Sequence, residues 1–178
     1  MKHFQLLLIV FITLFVTLGN VNAEEMCSQS NAYKVIKVFS KGIALNESFK
    51  KSAQQTDSDE NEYRKLRAQN EQYIEDTVFP CVKRAAVLLK RSSRPLLIRK
   101  LMELAVSFEN ASDETISYAL GEIFAANPSV IEVGVKYFSG AERKIIIDTV
   151  QAGWTNARTE NSASIIKNRD KRIKLLPK

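Results

Sequence analysis

Apolar residues recur every three or four positions along most of this chain, and that spacing is typical of amphipathic helices. The clearest stripe predicts a helix that starts near Pro95 with Ser93 as its cap, and it consists of Leu97, Leu101, Leu104, Ala105 and Phe108. Weaker stripes predict further helices that begin near residues 31, 59, 81, 113, 129 and 140. The chain is therefore predicted to be all-α, with six to seven helices in an antiparallel bundle or a short solenoid-like stack.

Breaks in the pattern set the predicted ends of the helices. Residues 50–61 are polar and are predicted to form a loop. Pro80 lies inside the next helical pattern and is expected to kink or break it, because proline cannot donate a backbone hydrogen bond.

Residues 130–138 and 145–150 are compatible with helices or with a β-hairpin, because both segments are rich in β-branched residues. Helix signals before each segment favour helices instead. Pro128 suits a first helical turn, and Ser139 and Glu142 have the spacing of a capping box.

The first 23 residues have the three parts of an export signal. Met1-Lys2 supplies a positive charge, residues 4–18 are apolar apart from three polar positions, and Val21-Asn22-Ala23 offers the small residues that a signal peptidase reads. The apolar run is shorter than the roughly 20 residues of a membrane-spanning helix. We expect a signal peptide (1–23), a helical domain (24–157) and a basic, flexible tail (158–178), with the mature protein periplasmic or secreted.

Cys27 and Cys81 are the only two cysteines. An even number of cysteines in an exported protein favours a disulfide, which here would join the mature N-terminus to the middle of the chain. Paired metal-binding or catalytic thiols are the alternative, and the lack of histidine and of a second cysteine pair disfavours it. Asn46 and Asn110 begin N-glycosylation sequences, which matter only in a eukaryotic source.

Charge is distributed unevenly along the chain. Residues 77–102 contain seven basic residues and no acidic one, residues 103–154 carry a net charge of −5, and residues 155–178 carry +5. Residues 24–154 are neutral overall, which disfavours nucleic acid as a partner. The basic tail could instead contact an anionic membrane surface.

Histidine is absent after the predicted cleavage site, because the single histidine, His3, lies in the leader. This excludes Ser-His-Asp and Cys-His catalysis in the mature protein, and zinc sites that need histidine. Pairs of carboxylates remain, as in a glycosidase, and Glu122 is the candidate catalytic acid in that alternative. Neither a Gly-rich phosphate loop nor EF-hand spacing is present, so we expect no cofactor and no metal.

The basic residues of 77–102 flank two apolar stripes and are the candidate contacts for a partner: Lys83, Arg84, Lys90, Arg91, Arg94, Arg99 and Lys100. They suit a membrane-surface helix, a solvated outer face or a docking face for an acidic protein. Acidic residues of the same chain, or of a second copy in a homodimer, could also pair with them. Trp154, the single tryptophan, is a candidate binding residue or a core residue.

These features favour an exported, non-catalytic helical protein that binds a macromolecular partner, with a protein as the expected partner, in the cell envelope or outside the cell. In general character the chain is similar to immunity proteins that guard bacterial envelopes against secreted toxins, which are also small, leader-bearing and helical. That similarity implies inhibition by covering a toxin's active cleft. The alternatives are a cell-envelope hydrolase that uses paired carboxylates and a helical protein associated with a membrane surface.

Overall fold

A computed structural model describes residues 27, 31–54, 60–109 and 114–176, except for the side chain of Glu62. The regular structure in these ranges is entirely helical. Its elements are α1 (Ala32–Gln54), α2 (Glu60–Tyr73), a π-helical turn (Ile74–Val78), α3 (Phe79–Arg91), α4 (Pro95–Ser107), α5 (Thr115–Ala126), α6 (Pro128–Val135), α7 (Gly140–Ala157), a 3-10 turn (Arg158–Glu160) and α8 (Ala163–Ile173). Since α2, the π turn and α3 are continuous, these ranges contain seven separate helices, and the all-α prediction is confirmed.

The predicted apolar stripes form the core of the protein. Leu97, Leu101 and Leu104 of α4 are fully buried, and so are Ile146 and Val150 of α7. Helices α6 and α7 cover most of 129–150, which excludes the hairpin alternative. Helical spacing therefore outweighed the β-branched composition of these segments.

The predicted loop over 50–61 is wrong at both ends. Helix α1 continues to Gln54, and α2 already begins at Glu60. Phe49 stacks on Tyr63 with ring centroids 5.4 Å apart, so the end of α1 packs against the start of α2. This aromatic contact joins distant positions in the sequence, so the local polar composition did not reveal it.

Two predicted caps also differ from the structure. Ser93 does not cap α4, because Arg94 occupies the capping position and makes no side-chain capping bond. Ser139 does occupy the capping position of α7, but it makes no side-chain hydrogen bond there, so the capping box with Glu142 does not form. Pro95 and Pro128 do begin α4 and α6, as predicted.

The helix continues through Pro80 rather than breaking there. The change in hydrogen bonding falls in the π turn just before it, where the Phe79 N–H donates to the Ile74 carbonyl, one residue further back than in an α-helix. Proline removes a donor and crowds the carbonyl four residues before it. The wider π turn accommodates both effects without ending the helix.

The predicted disulfide joins Cys27 to Cys81, whose Cα atoms are 5.1 Å apart. Both cysteines are buried in the core. The bond ties Cys27, the first residue that the structure describes, to the first turn of α3. The predicted signal peptide (1–23) lies outside the described residues, and no helix within them has both the length and the apolar character needed to cross a membrane.

Helices α5 and α7 approach each other most closely at two glycines. A Cβ atom on Gly121 would overlap the backbone of Gly153, and a Cβ atom on Gly153 would overlap the Ser117 carbonyl. The two backbones are therefore in direct contact. Glycine is required at this crossing because any side chain would separate the helices.

A buried polar cluster closes the C-terminal end of α4. The Asn46 side-chain amide donates to the Ser107 carbonyl at 2.6 Å and to its hydroxyl at 3.1 Å, and Lys50 Nζ donates to the same carbonyl at 2.5 Å. Asn70 donates to the Asn46 side-chain oxygen at 3.4 Å. The Ser107 carbonyl therefore accepts from two side chains, one of which, Lys50, also brings a positive charge to the negative end of the helix dipole. Carbonyls in the last turn of a helix lack partners within the helix and need such donors.

Candidate functional site

The seven basic candidate residues lie on one helical hairpin, formed by α3, the turn 92–94 and α4. Along this hairpin the order is Lys83, Arg84, Lys90 and Arg91 on α3, Arg94 directly before α4, and Arg99 and Lys100 within α4. Four of them are exposed and three are partly buried. The structure therefore collects the candidates on one helical hairpin.

Three of these cations pair with carboxylates from the acidic segment 103–154. Lys90 Nζ lies 3.0 Å from Glu122 Oε2, Arg99 Nε lies 2.9 Å from Glu103 Oε1, and Lys100 Nζ lies 2.5 Å from Glu103 Oε2. Their side chains are between 23% and 52% exposed, so solvent screening keeps the contribution of these pairs to stability small. Their main effect is to offset part of the positive charge of the hairpin within the same molecule.

The most exposed apolar side chain of the hairpin is Leu96, which is 71% exposed in the first turn of α4. Arg94 precedes it, and Arg99 follows one helical turn later on the same side. The Arg99 guanidinium lies over the half-exposed ring of Tyr137, 5.9 Å from its centroid. We call Arg94, Leu96, Arg99 and Tyr137 the Leu96 surface. Arginine and tyrosine are among the side chains that most often dominate binding energy at protein interfaces.

Glu122, the candidate catalytic acid, lies on α5 with its carboxylate paired to Lys90. Its side chain is 51% exposed. The neighbouring Gly121 is explained by the close crossing with α7. Glu122 thus has a partner within the fold, and a role for it in a reaction stays a prediction.

Trp154 lies apart from the basic hairpin, on α7. It is 3% exposed, meets Phe124 edge to face at 5.9 Å between ring centroids, and donates from Nε1 to Asp170 Oδ1 at 2.9 Å. Trp154 is therefore a core residue whose polar edge is satisfied by α8.

Helix α8 falls within the segment that was predicted to be a basic, flexible tail. Its side chains reach three other helices: Asp170 contacts Trp154 on α7, the Arg169 Nε donates to the Ala125 carbonyl on α5, and Arg172 pairs bidentately with Glu132 on α6. The hydrogen bond to Glu132 raises the pKa of Arg172, whereas burial lowers the pKa of Arg169. These contacts hold α8 against the helical domain.

A cleft of about 790 Å³ lies between α7 and α8. Its apolar lining comes from Ile147, Trp154, Ile173 and Leu176, and its charged lining from Lys144, Asp148, Arg158, Asp170 and Lys174. Within the part of the chain that the structure describes, no group of three or more histidine, cysteine, aspartate or glutamate side chains is placed to hold a metal ion.

Neither α8 nor this cleft was predicted from the sequence. A signal for the helix was present, because Ile166, Asp170 and Ile173 follow helical spacing after Ser162, which occupies the capping position. The surplus of positive charge in this segment favoured the prediction of a flexible tail instead. Nothing in the local sequence indicated which helices α8 would contact.

Comparison with known proteins found no matching family, no similar curated protein and no similar solved structure.

Proposed function

We propose that this chain is an exported, non-catalytic helical protein that binds a macromolecular partner, and that it does so through the Leu96 surface. The observation that carries the proposal is the exposure of Leu96 between two arginines, with Tyr137 beside Arg99. Burying a leucine side chain contributes roughly 2 kcal/mol. A partner that covers Leu96 would gain this free energy in the same place where the arginines provide directional contacts.

The expected partner is a protein with an acidic surface. Arg91 and Arg94 make no ion pair with any residue that the structure describes, while Lys90, Arg99 and Lys100 are already paired internally. Carboxylates of a partner could pair with these two guanidinium groups, of which Arg94 lies two positions before Leu96 and, within the described residues, donates only to the Ser92 hydroxyl, at 3.2 Å. By analogy with immunity proteins, the mechanism would be occlusion of a toxin's active cleft by this hairpin.

Export is supported by the disulfide and by the leader-like N-terminal sequence. Disulfides persist in oxidising compartments and are rare where thiols are kept reduced. The Cys27–Cys81 bond fits a protein that works in the periplasm or outside the cell.

The test replaces Leu96 by aspartate and uses Leu175→Asp as the control, because Leu175 is equally exposed (72%) but lies after α8. Wild-type protein is used to capture a partner from cell-envelope extracts, and the purified partner is then titrated against each variant by calorimetry. We expect Leu96→Asp to weaken binding by about a hundredfold, and Leu175→Asp to bind as the wild type does.

Equal binding by Leu96→Asp and wild type would refute the assignment of the Leu96 surface. Turnover of a cell-wall substrate by the purified protein, lost in Glu122→Gln, would refute the non-catalytic proposal and favour the hydrolase. Binding to anionic vesicles that salt reverses, with no protein partner, would favour the membrane-surface alternative.

A further inference from the structure

The cleft between α7 and α8 has a floor that suits a hydrocarbon chain. Ile147 and Trp154 line it from α7, and Ile173 and Leu176 line it from α8 and the residues directly after it. A volume of about 790 Å³ lies within the range that encloses small organic ligands. The walls come from α7 and α8, which the hydrogen bond from Trp154 Nε1 to Asp170 Oδ1 joins.

The charges around this cleft are not balanced by the fold itself. Arg158 Nη2 lies 2.9 Å from Asp170 Oδ2, while Asp170 Oδ1 accepts from Trp154, so both oxygens of that carboxylate are occupied. Lys144, Lys174 and Asp148 also line the cleft, and none of the three forms an ion pair within the described ranges. Two lysines against one aspartate leave a positive surplus beside an apolar floor.

We propose that this cleft binds a single-chain amphiphilic anion, such as a long-chain carboxylate. The hydrocarbon chain lies on Ile147, Trp154 and Ile173, and the carboxylate meets the ammonium groups of Lys144 and Lys174. The apolar lining holds the hydrocarbon chain, while the two lysines select an anionic head over a neutral one. This site is separate from the Leu96 surface, so either proposal can fail without the other.

Dodecanoate is a suitable probe, because Trp154 is the only tryptophan of the chain and reports on the floor of the cleft. We expect a saturable change in tryptophan emission below the concentration at which dodecanoate forms micelles, and the same dissociation constant by calorimetry. Dodecanol, which has the same chain without the charge, should bind about tenfold more weakly.

The decisive variant is the double replacement Lys144→Gln and Lys174→Gln, which removes both charges and leaves the apolar floor unchanged. Its affinity for dodecanoate should fall by about tenfold, while its affinity for dodecanol stays the same. The matched control is Lys34→Gln with Lys65→Gln, which makes the same change in net charge at two exposed positions of α1 and α2. Circular dichroism checks that all variants retain their helices.

Three results would overturn the proposal. The first is no saturable binding of dodecanoate by fluorescence or calorimetry. The second is equal affinity for dodecanoate and dodecanol with no effect of the lysine replacements, which would make the cleft a nonspecific apolar site. The third is a response to vesicles of anionic phospholipid without any response to monomeric dodecanoate, which would assign the cleft to a membrane surface.

Discussion

At the scale of single residues, the contact between Gly121 and Gly153 sets how closely α5 and α7 can approach. Each glycine faces backbone atoms of the other helix and not flexible side chains. A methyl group at either position cannot be accommodated by rotating a neighbour, so the helices must separate.

Replacement of Gly153 by alanine should therefore lower the free energy of unfolding by about 3 kcal/mol. Gly140→Ala is the control, because a Cβ atom there meets nothing within 4 Å, although its φ of 52° still makes alanine unfavourable by about 1 kcal/mol. Urea unfolding followed by circular dichroism measures both. Equal losses in the two variants would contradict the close crossing.

Asn46 is a second residue whose role is structural, since its amide nitrogen donates twice to Ser107 at the end of α4. That nitrogen is the atom that a glycan would occupy, and the residue is 93% buried. The folded protein therefore offers no access for modification at Asn46.

Asn46→Ala should lower the free energy of unfolding by about 2 kcal/mol. The replacement removes buried hydrogen bonds and leaves the Asn70 amide without the oxygen to which it donates. Asn156→Ala serves as the control, since Asn156 is exposed on α7 and should change stability by less than about 0.5 kcal/mol. Thermal unfolding at a fixed pH compares the two variants. A loss for Asn46→Ala no larger than for Asn156→Ala would show that the cluster does not stabilise α4.

At the scale of helices, the sequence predicted those that bury a continuous apolar stripe and missed what depends on distant partners. Val82, Ala85 and Leu89 are fully buried, as their spacing indicated. Helix α8 buries little apolar surface of its own and is held by polar contacts such as Arg172–Glu132. The cleft depends on α8, so it could not be predicted either. The Leu96 surface was only partly predictable, because Tyr137 joins Arg99 through tertiary packing.

Arg172→Gln should loosen α8 locally while leaving the core intact. Both side chains of the Arg172–Glu132 pair are about one-third exposed, so solvent screening limits the loss to about 0.5–1 kcal/mol. Hydrogen exchange should then rise in 163–173 and remain unchanged in α4. Lys171→Gln is the control, because it makes the same change in charge at an exposed neighbouring position and should not raise hydrogen exchange. Faster exchange in Lys171→Gln would show that the net charge of α8, and not the Arg172–Glu132 ion pair, stabilises its position.

At the scale of the whole molecule, the Cys27–Cys81 bond constrains the unfolded chain more than any other single contact. It links residues separated by 54 positions. Loop-closure entropy for a loop of this size corresponds to about 4 kcal/mol.

The double variant Cys27→Ser and Cys81→Ser should lose about 4 kcal/mol of stability relative to the oxidised protein. Urea unfolding with and without reductant checks this, and reductant should have no effect on the variant. If reduction leaves the wild-type midpoint unchanged, the bond does not stabilise the fold as this entropy argument requires.

The same bond also determines how the protein would respond to mechanical tension. A pull on the two ends of the chain passes from Cys27 directly into Cys81 at the start of α3. Helices α1 and α2 therefore lie outside the path of the force. In a stretching experiment they would add nothing to the released contour length until the sulfur bridge is reduced.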